Sequence, residues 1–274
     1  MQRVLTALVL LLLLGASLTL FAPWGFPLLT LIFVALGIFE WMKLFSIALL
    51  LSGAIALVAA AAIAAFALEF PEEGTAYTLV LALSSLIWLA LGLALVVTGD
   101  FPQGAWLRPL YLIGGVLLPG ACGIALFAAY RSGLVYMVSI LALVWVADIA
   151  AYFCGRRFGR RKLAPSISPG KTIEGALGGA LAVLLLAFVA SQLALTEDSF
   201  FAHLSHRLAL PVCALVVLLL VAMSITGDLF ESSLKRRAGV KDSSHLLPGH
   251  GGILDRIDAL LPVIPLAVLL GRVL

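Results

Sequence analysis

Long apolar runs separated by short polar stretches make up most of the chain. Crossing a hydrocarbon core of about 30 Å takes about 20 residues of helix. Runs of that kind fall at roughly 4–22, 27–43, 45–68, 76–98, 109–129, 133–154, 173–195, 208–230 and 253–272. They are continuous rather than alternating apolar and polar, which excludes barrel strands, and helices satisfy their own backbone groups inside lipid. The pattern predicts an all-α, polytopic integral membrane bundle of about nine transmembrane helices. The short second run leaves eight as the alternative, by a different partition of 24–68. The first run has the charge and apolar core of a signal peptide, but its length and the spans after it favour a retained helix. Short connections at 99–109 and 130–133 predict antiparallel neighbours.

Composition agrees: 63% of the 274 residues are hydrophobic, 11% are charged, and the mean hydropathy is +1.19. The net charge of +3 is modest, so its placement carries more information than its sum. One basic stretch holds Arg156, Arg157, Arg160, Arg161, Lys162 and Lys171 ahead of Glu174. The positive-inside rule makes it cytoplasmic. Nine helices would put the N-terminus with Arg3 and the polar stretch at 232–258 on that side too, leaving the acidic 69–74 and the segment 196–207 outside. Cys122, Cys154 and Cys213 form no C-x-x-C pair, so neither a disulfide framework nor a zinc site is indicated. No internal repeat suggests the inverted halves of a transporter. Residues 1–130 read as a helical scaffold, and 131–274 as the catalytic region, with cytoplasmic loops at 155–172 and 231–252.

The candidate chemistry sits in that second region. Residues 232–258 gather Lys235, Arg236, Arg237, Lys241 and Arg256 against Asp242, Asp255 and Asp258, with His245, His250 and a glycine-rich turn between them. Cations, carboxylates and flexible backbone suit a phosphate and metal site. Upstream, Ser224, Asp228, Glu231 and Ser232 share one helical face by spacing, an oxygen set suited to a hard divalent cation. Asp148 lies about two turns before the expected end of its helix, where a carboxylate is either structurally paired or part of a site. Asp255 and Asp258 open the last helix, as dipole partners or as the second half of a metal clamp. The SPGKT run at 168–172 is not a Walker A loop, because Pro165 stands where glycine is needed and no strand is expected before it. A lysine and a hydroxyl at a helix N-terminus remain as a phosphate cradle. His203 and His206 lack a third ligand and read as part of an amphipathic loop.

The stretch SSLKRRAGVKDSSHLLPGHGGILDRID resembles the signature of the phosphatidate cytidylyltransferases, the CDP-diacylglycerol synthases. Serine, an aliphatic, K-R, K-D, H-G-G and a terminal D-R-aliphatic-D all stand at the family's spacing. The likeness extends upstream to 148–159 and to SPGKTIEG at 168–175, and so covers roughly the C-terminal half. It implies a membrane enzyme that condenses CTP with phosphatidic acid, using Mg²⁺, to give CDP-diacylglycerol and pyrophosphate. On that resemblance Asp228 and Asp255 hold the metal, with Asp258 and Asp148 as alternates. Lys235, Arg236 and Lys241 would bind the triphosphate or pyrophosphate, and Lys171 and Arg156 the phosphatidate headgroup. Ser168, Thr172, Asp242, Gly251 and Arg256 complete the implied substrate set, and His250 with its glycines would bring backbone N–H groups to phosphate.

Expected partners are CTP, phosphatidic acid and membrane lipid, with a homodimer open and no nucleic acid. The expected location is a bacterial inner membrane. The rival readings are a transporter for an anionic metabolite and another CDP-lipid-handling transferase, whose D-G-x-x-A-R signature is absent from the sequence.

Overall fold

The computed structural model describes residues 2–193 and 196–274, and the side chains of residues 2–5 and 7 fall outside the description. The Arg3 side chain and the last two residues of the expected seventh span therefore lie outside the described residues. A helix occupies each expected apolar run: α1 Gln2–Thr19, α2 Gly25–Leu44, α3 Leu49–Glu69, α4 Thr75–Thr98, α5 Arg108–Arg131, α6 Leu134–Phe158 and α7 Ile173–Gln192. The short amphipathic α8 Phe200–Arg207 follows, then α9 Leu210–Arg237, a single turn α10 Leu254–Ile257, and α11 Leu260–Val273. Among the described residues, seven helices are long and apolar enough to cross a membrane, namely α2 to α7 and α9. At 14 residues α11 spans only about 21 Å.

Several expected boundaries move. Helix α6 runs on to Phe158, so Asp148 lies ten residues from its end rather than about two turns. Helix α9 continues to Arg237, which puts Lys235, Arg236 and Arg237 on the helix and not in a loop. The expected loop at 155–172 contains a hairpin of β1 Lys162–Ala164 and β2 Ser168–Thr172, paired antiparallel with an irregularity in register. The SPGKT run is itself β2, not a loop following a strand. The expected last helix is broken after its first turn. Pro262 cannot donate an N–H to the Asp258 carbonyl four residues earlier, and its ring crowds that position, so α10 and α11 separate there.

Helix α11 is buried from Leu261 to Val268, as expected of a helix apolar all round, and it packs on α4, α5, α6 and α9. The two halves of the chain thus share one core. Helices α6 and α7 lie closest of all. A Cβ on Gly179 would stand 2.7 Å from the Ala147 carbonyl oxygen, so only glycine lets the backbones approach so closely. That contact brings the start of α7 beside the polar part of α6. The hairpin and the 238–253 loop emerge at one end of the bundle. Among the described residues, Arg131, Arg207 and Arg272 are the basic side chains at the other end.

Candidate active site

A cavity of about 700 Å³ opens at the polar end, between α6, the hairpin, the start of α7, α9 and the 241–258 segment. Asp148 and Arg156 face it from α6, Ser168, Lys171 and Thr172 from β2, and Asp228, Lys235 and Arg236 from α9. Lys241, Asp242, Asp255, Arg256 and Asp258 close the remaining wall. Six cationic and five carboxylate side chains therefore meet in one space. Residues as far apart in the chain as Asp148 and Asp258 converge because α6 and α9 end, and α7 begins, at this face.

The hairpin is fixed from both sides. Glu174 accepts from the Arg160 and Arg161 N–H groups at 2.9 and 3.1 Å and pairs with the Arg161 side chain at 3.1 Å. The buried Thr172 hydroxyl caps α7 by accepting from Gly175 N at 3.1 Å. From the far side, Arg236 Nε donates to the Ile167 carbonyl at 3.4 Å. Lys171 Nζ reaches Asp228 Oδ2 at 2.6 Å, linking the strand to α9 across the cavity. Arg237 points out of the site. It donates to the Phe101 and Pro102 carbonyls and lies over the Tyr111 ring, tying α9 to the α4–α5 connection.

Lys235 sits between two carboxylates. It is paired with Glu231 one turn earlier and with Asp255 Oδ1 at 2.5 Å. The three side chains are only 13%, 2% and 6% exposed respectively. Glu231 therefore turns away from the cavity, whereas Ser224, Asp228 and Ser232 line it, so the four-residue oxygen face expected on this helix is split. Asp255 Oδ2 accepts from Ser243 N at 2.9 Å, Ser243 Oγ at 2.7 Å and Gly252 N at 2.8 Å. Burial works to raise the Asp255 pKa, but Lys235, Gly252 N–H and the Ser243 hydroxyl outweigh it and hold it below the usual carboxylate range. With its acceptor positions filled by protein donors, Asp255 has little left to offer a cation.

Asp258 is placed differently. It lies at the break between α10 and α11, where burial, followed by the Asp228 carboxylate, pushes its pKa well above the usual range, and Asp148 adds to the same effect. Three carboxylates facing one cavity form an oxygen-only donor set of the kind hard cations take. Among the described residues, no group of three or more His, Cys, Asp or Glu side chains stands close enough together to hold a metal ion by itself. The donors fit an open site, to be completed by phosphate oxygens, which is how Mg²⁺ is commonly held beside nucleotides.

Two expected substrate residues stand elsewhere. His250 and Gly251 do not line the polar cavity. The His250 N–H donates to the Leu247 carbonyl and its own carbonyl accepts from the Arg256 guanidinium. With Gly252 N–H engaged by Asp255, the turn has no free run of amides for phosphate. His245 is exposed in the same loop. At the opposite end, His203 Nδ1 lies 2.9 Å from the Ser199 carbonyl, with its ring against Tyr136.

Sequence reasoning missed Glu40. On α2, far from the signature, its fully buried carboxylate (0% exposed) accepts from Ser243 Oγ, Ser244 Oγ, Ile253 N and Leu254 N at 2.5–3.0 Å. An acid inside an otherwise apolar span was the available signal.

A second cavity, of about 490 Å³ and mostly apolar, lies between α1, α2, α5 and α6. Leu11, Leu14, Phe26, Phe33 and Trp145 are among the residues that line it, and it shares Asp148, Asp255, Arg256 and Asp258 with the polar cavity.

The sequence matches the cytidylyltransferase family over residues 1–274. A phosphatidate cytidylyltransferase of Pseudomonas aeruginosa is 39% identical over 267 residues, which cover 96% of this chain and 94% of that protein. One of Haemophilus influenzae is 35% identical over 291 aligned positions, covering 96% of each. One of Thermotoga maritima is 44% identical over 135 residues, about half of either chain. With the match running the full length, and the signature residues gathered around one cavity, this integral membrane protein belongs to the cytidylyltransferase family.

Proposed function

We infer that the protein transfers a cytidylyl group from CTP to phosphatidic acid, releasing pyrophosphate and forming CDP-diacylglycerol for phospholipid synthesis. The observation that carries this reading is the meeting of a charged cavity with an apolar one at Asp148, Asp255, Arg256 and Asp258. A substrate with a phosphate head and acyl tails needs both surfaces at once, and a nucleoside triphosphate needs only the first. A transporter reading has less support, because the polar groups collect at one end.

In the reaction a phosphatidate oxygen bonds to the α-phosphorus of CTP, and the bond from that phosphorus to the oxygen bridging to the β-phosphate breaks. The electron pair leaves with pyrophosphate. The attacking oxygen is already anionic near neutral pH, so bringing two polyanions together and in line is the main task. Lys171, Arg156 and Ser168 on one wall face Lys235, Arg236, Lys241 and Arg256 on the other, and cations so placed neutralise phosphate charge. Asp228 and Asp258, with Asp148 beside them, would hold a divalent cation, and we take it to be Mg²⁺. When bound it would supply Lewis-acid polarisation of the phosphoryl oxygens and charge for the leaving group. Asp255 instead fixes the segment that carries Arg256 and Asp258.

The polar end is assigned to the cytoplasm of a bacterial inner membrane, because the basic residues concentrate there and CTP is cytosolic. Residues 131–274 carry most of the cavity, and 1–130 serve chiefly as scaffold.

Purified protein in detergent, given CTP, phosphatidic acid and Mg²⁺, is expected to release pyrophosphate only when all three are present. No release from a demonstrably folded sample, over several acyl compositions, would refute the assignment.

A further inference from the structure

Glu40 belongs to the half of the chain read as scaffold, yet every hydrogen bond it accepts comes from residues 243–254. Oε1 accepts from Ser244 Oγ at 2.5 Å and Ile253 N at 3.0 Å, and Oε2 from Leu254 N at 2.7 Å and Ser243 Oγ at 3.0 Å. A carboxylate has about four acceptor positions, and every donor to this one belongs to that segment, the Ser243 proton being shared with Asp255. A carboxyl group buried that completely depends on its partners, since a buried acceptor that loses its donors is left unsatisfied. Glu40 and the segment therefore hold one another in a single geometry.

That geometry leads directly into the cavity. Ile253 and Leu254 immediately precede Asp255 and Arg256, and Asp258 follows within the same turn. The Ser243 hydroxyl lies 3.0 Å from Glu40 Oε2 and 2.7 Å from Asp255 Oδ2. With a single proton to give, it ties the two carboxylates into one network. Gly252 belongs to the same contact. A Cβ there would come within 2.5 and 2.6 Å of the two Glu40 oxygens and 2.1 Å of Ser243 Oγ. The second glycine of the H-G-G run thus makes room for Glu40 rather than for a ligand.

We propose that Glu40 is a positioning residue for cytidylyl transfer, acting through the 243–254 segment to set Asp255, Arg256 and Asp258 against the substrates. This role rests on the reaction assigned above. Misplacement of about 1 Å remote from the reacting atoms can cost about a hundredfold in rate. Loss of the clamp should therefore act on kcat more than on binding.

The test uses the full chain in detergent micelles, comparing wild type with Glu40→Gln and Ser244→Ala. Steady-state kinetics for CTP and phosphatidic acid would be measured with hydrogen–deuterium exchange of the 243–254 peptides. Gln keeps the volume but turns one acceptor oxygen into a donor facing N–H groups. Glu40→Gln is expected to lower kcat by about ten- to a hundredfold and to leave both KM values within about threefold. Exchange should rise in 243–254 and stay unchanged in α6 and α9. A folded Glu40→Gln protein with wild-type kcat overturns the proposal, as does a loss of activity matched by faster exchange throughout the molecule, which would mark a general stabilising role. If Glu40→Gln does not fold, Ser244→Ala decides. It removes one donor and leaves the carboxylate, and kcat should fall at least about threefold with exchange raised locally; unchanged kcat refutes the role. A wild type that releases no pyrophosphate would sink the assigned reaction by itself. The exchange data would then still judge the clamp, which fails if Glu40→Gln leaves 243–254 unaltered.

Discussion

Replacing Lys235 by methionine tests whether the site is held together from inside. The ammonium lies between Glu231 and Asp255, and the three side chains are 13%, 2% and 6% exposed, so water can do little to replace it. Removing one partner of a buried ion pair typically costs about 3–5 kcal/mol, because the remaining charge is uncompensated. Here two carboxylates are left, one of which, Asp255, keeps its Ser243 and Gly252 donors, while Glu231 keeps none. The cost should therefore fall mainly on Glu231, and the double variant Lys235→Met/Glu231→Gln should recover about 1–3 kcal/mol of the loss. In melting experiments in dodecylmaltoside the single variant should lose on the order of 10 °C, and the double variant part of that. Activity should be low in both, since each lacks a cation that faces the cavity. A Lys235→Met protein that melts within about 2 °C of wild type would refute the reasoning, by showing that the carboxylates find water or protons at no cost.

Other expectations separate the acids. Mg²⁺ is expected to raise the melting temperature of the wild type; Asp258→Asn should leave the fold intact and abolish that rise, whereas Asp255→Asn should retain it, and the reverse pattern would assign the metal to Asp255. Asp255 is held below the ordinary carboxylate range, so its stabilising contribution is present above the unfolded value of about 3.9 and is lost as pH falls through the lower folded value. Asp255→Asn should accordingly melt below wild type at pH 7, with the gap closing in acid; a gap independent of pH would contradict this. Lys171→Ala, which frees Asp228 from its 2.6 Å partner, should raise KM for phosphatidic acid or CTP, measured by pyrophosphate release, with little change in melting temperature. Gly179→Ala should lower the melting temperature and activity together, because its new Cβ meets the Ala147 carbonyl; a neutral result would show that α6 and α7 can part without harm.

The helical architecture and most of the cavity wall were legible in the sequence, for a physical reason. Apolar runs of membrane length admit one kind of element, and the fixed polar positions from Asp148 to Asp258 have few uses other than a shared site. What stayed hidden depended on contacts between distant segments. The spacing of Asp228 and Glu231 put both on one face, but Lys235 draws Glu231 inward. Spacing could not reveal that Asp255 is held by Lys235 on one oxygen and by its own loop on the other, or that Pro262 breaks the last helix beside Asp258. The His250 turn looked like a phosphate nest because its glycines were visible, while Glu40, which engages the amides just beyond them, lies more than 200 residues away.

That separation also bears on how the enzyme is made. Glu40 leaves the ribosome 203 to 214 residues ahead of its partners, which at about 5–20 residues per second is a wait of roughly 10–40 s. Throughout it the second helix carries an acid whose hydrogen-bond donors have yet to be synthesised. The fastening becomes available only when the last signature residues have been synthesised. A prematurely ended chain would keep an unsatisfied acid among its apolar helices, a defect that membrane quality control can recognise. The contact between Glu40 and the 243–254 segment can therefore form only once nearly the whole chain has been made.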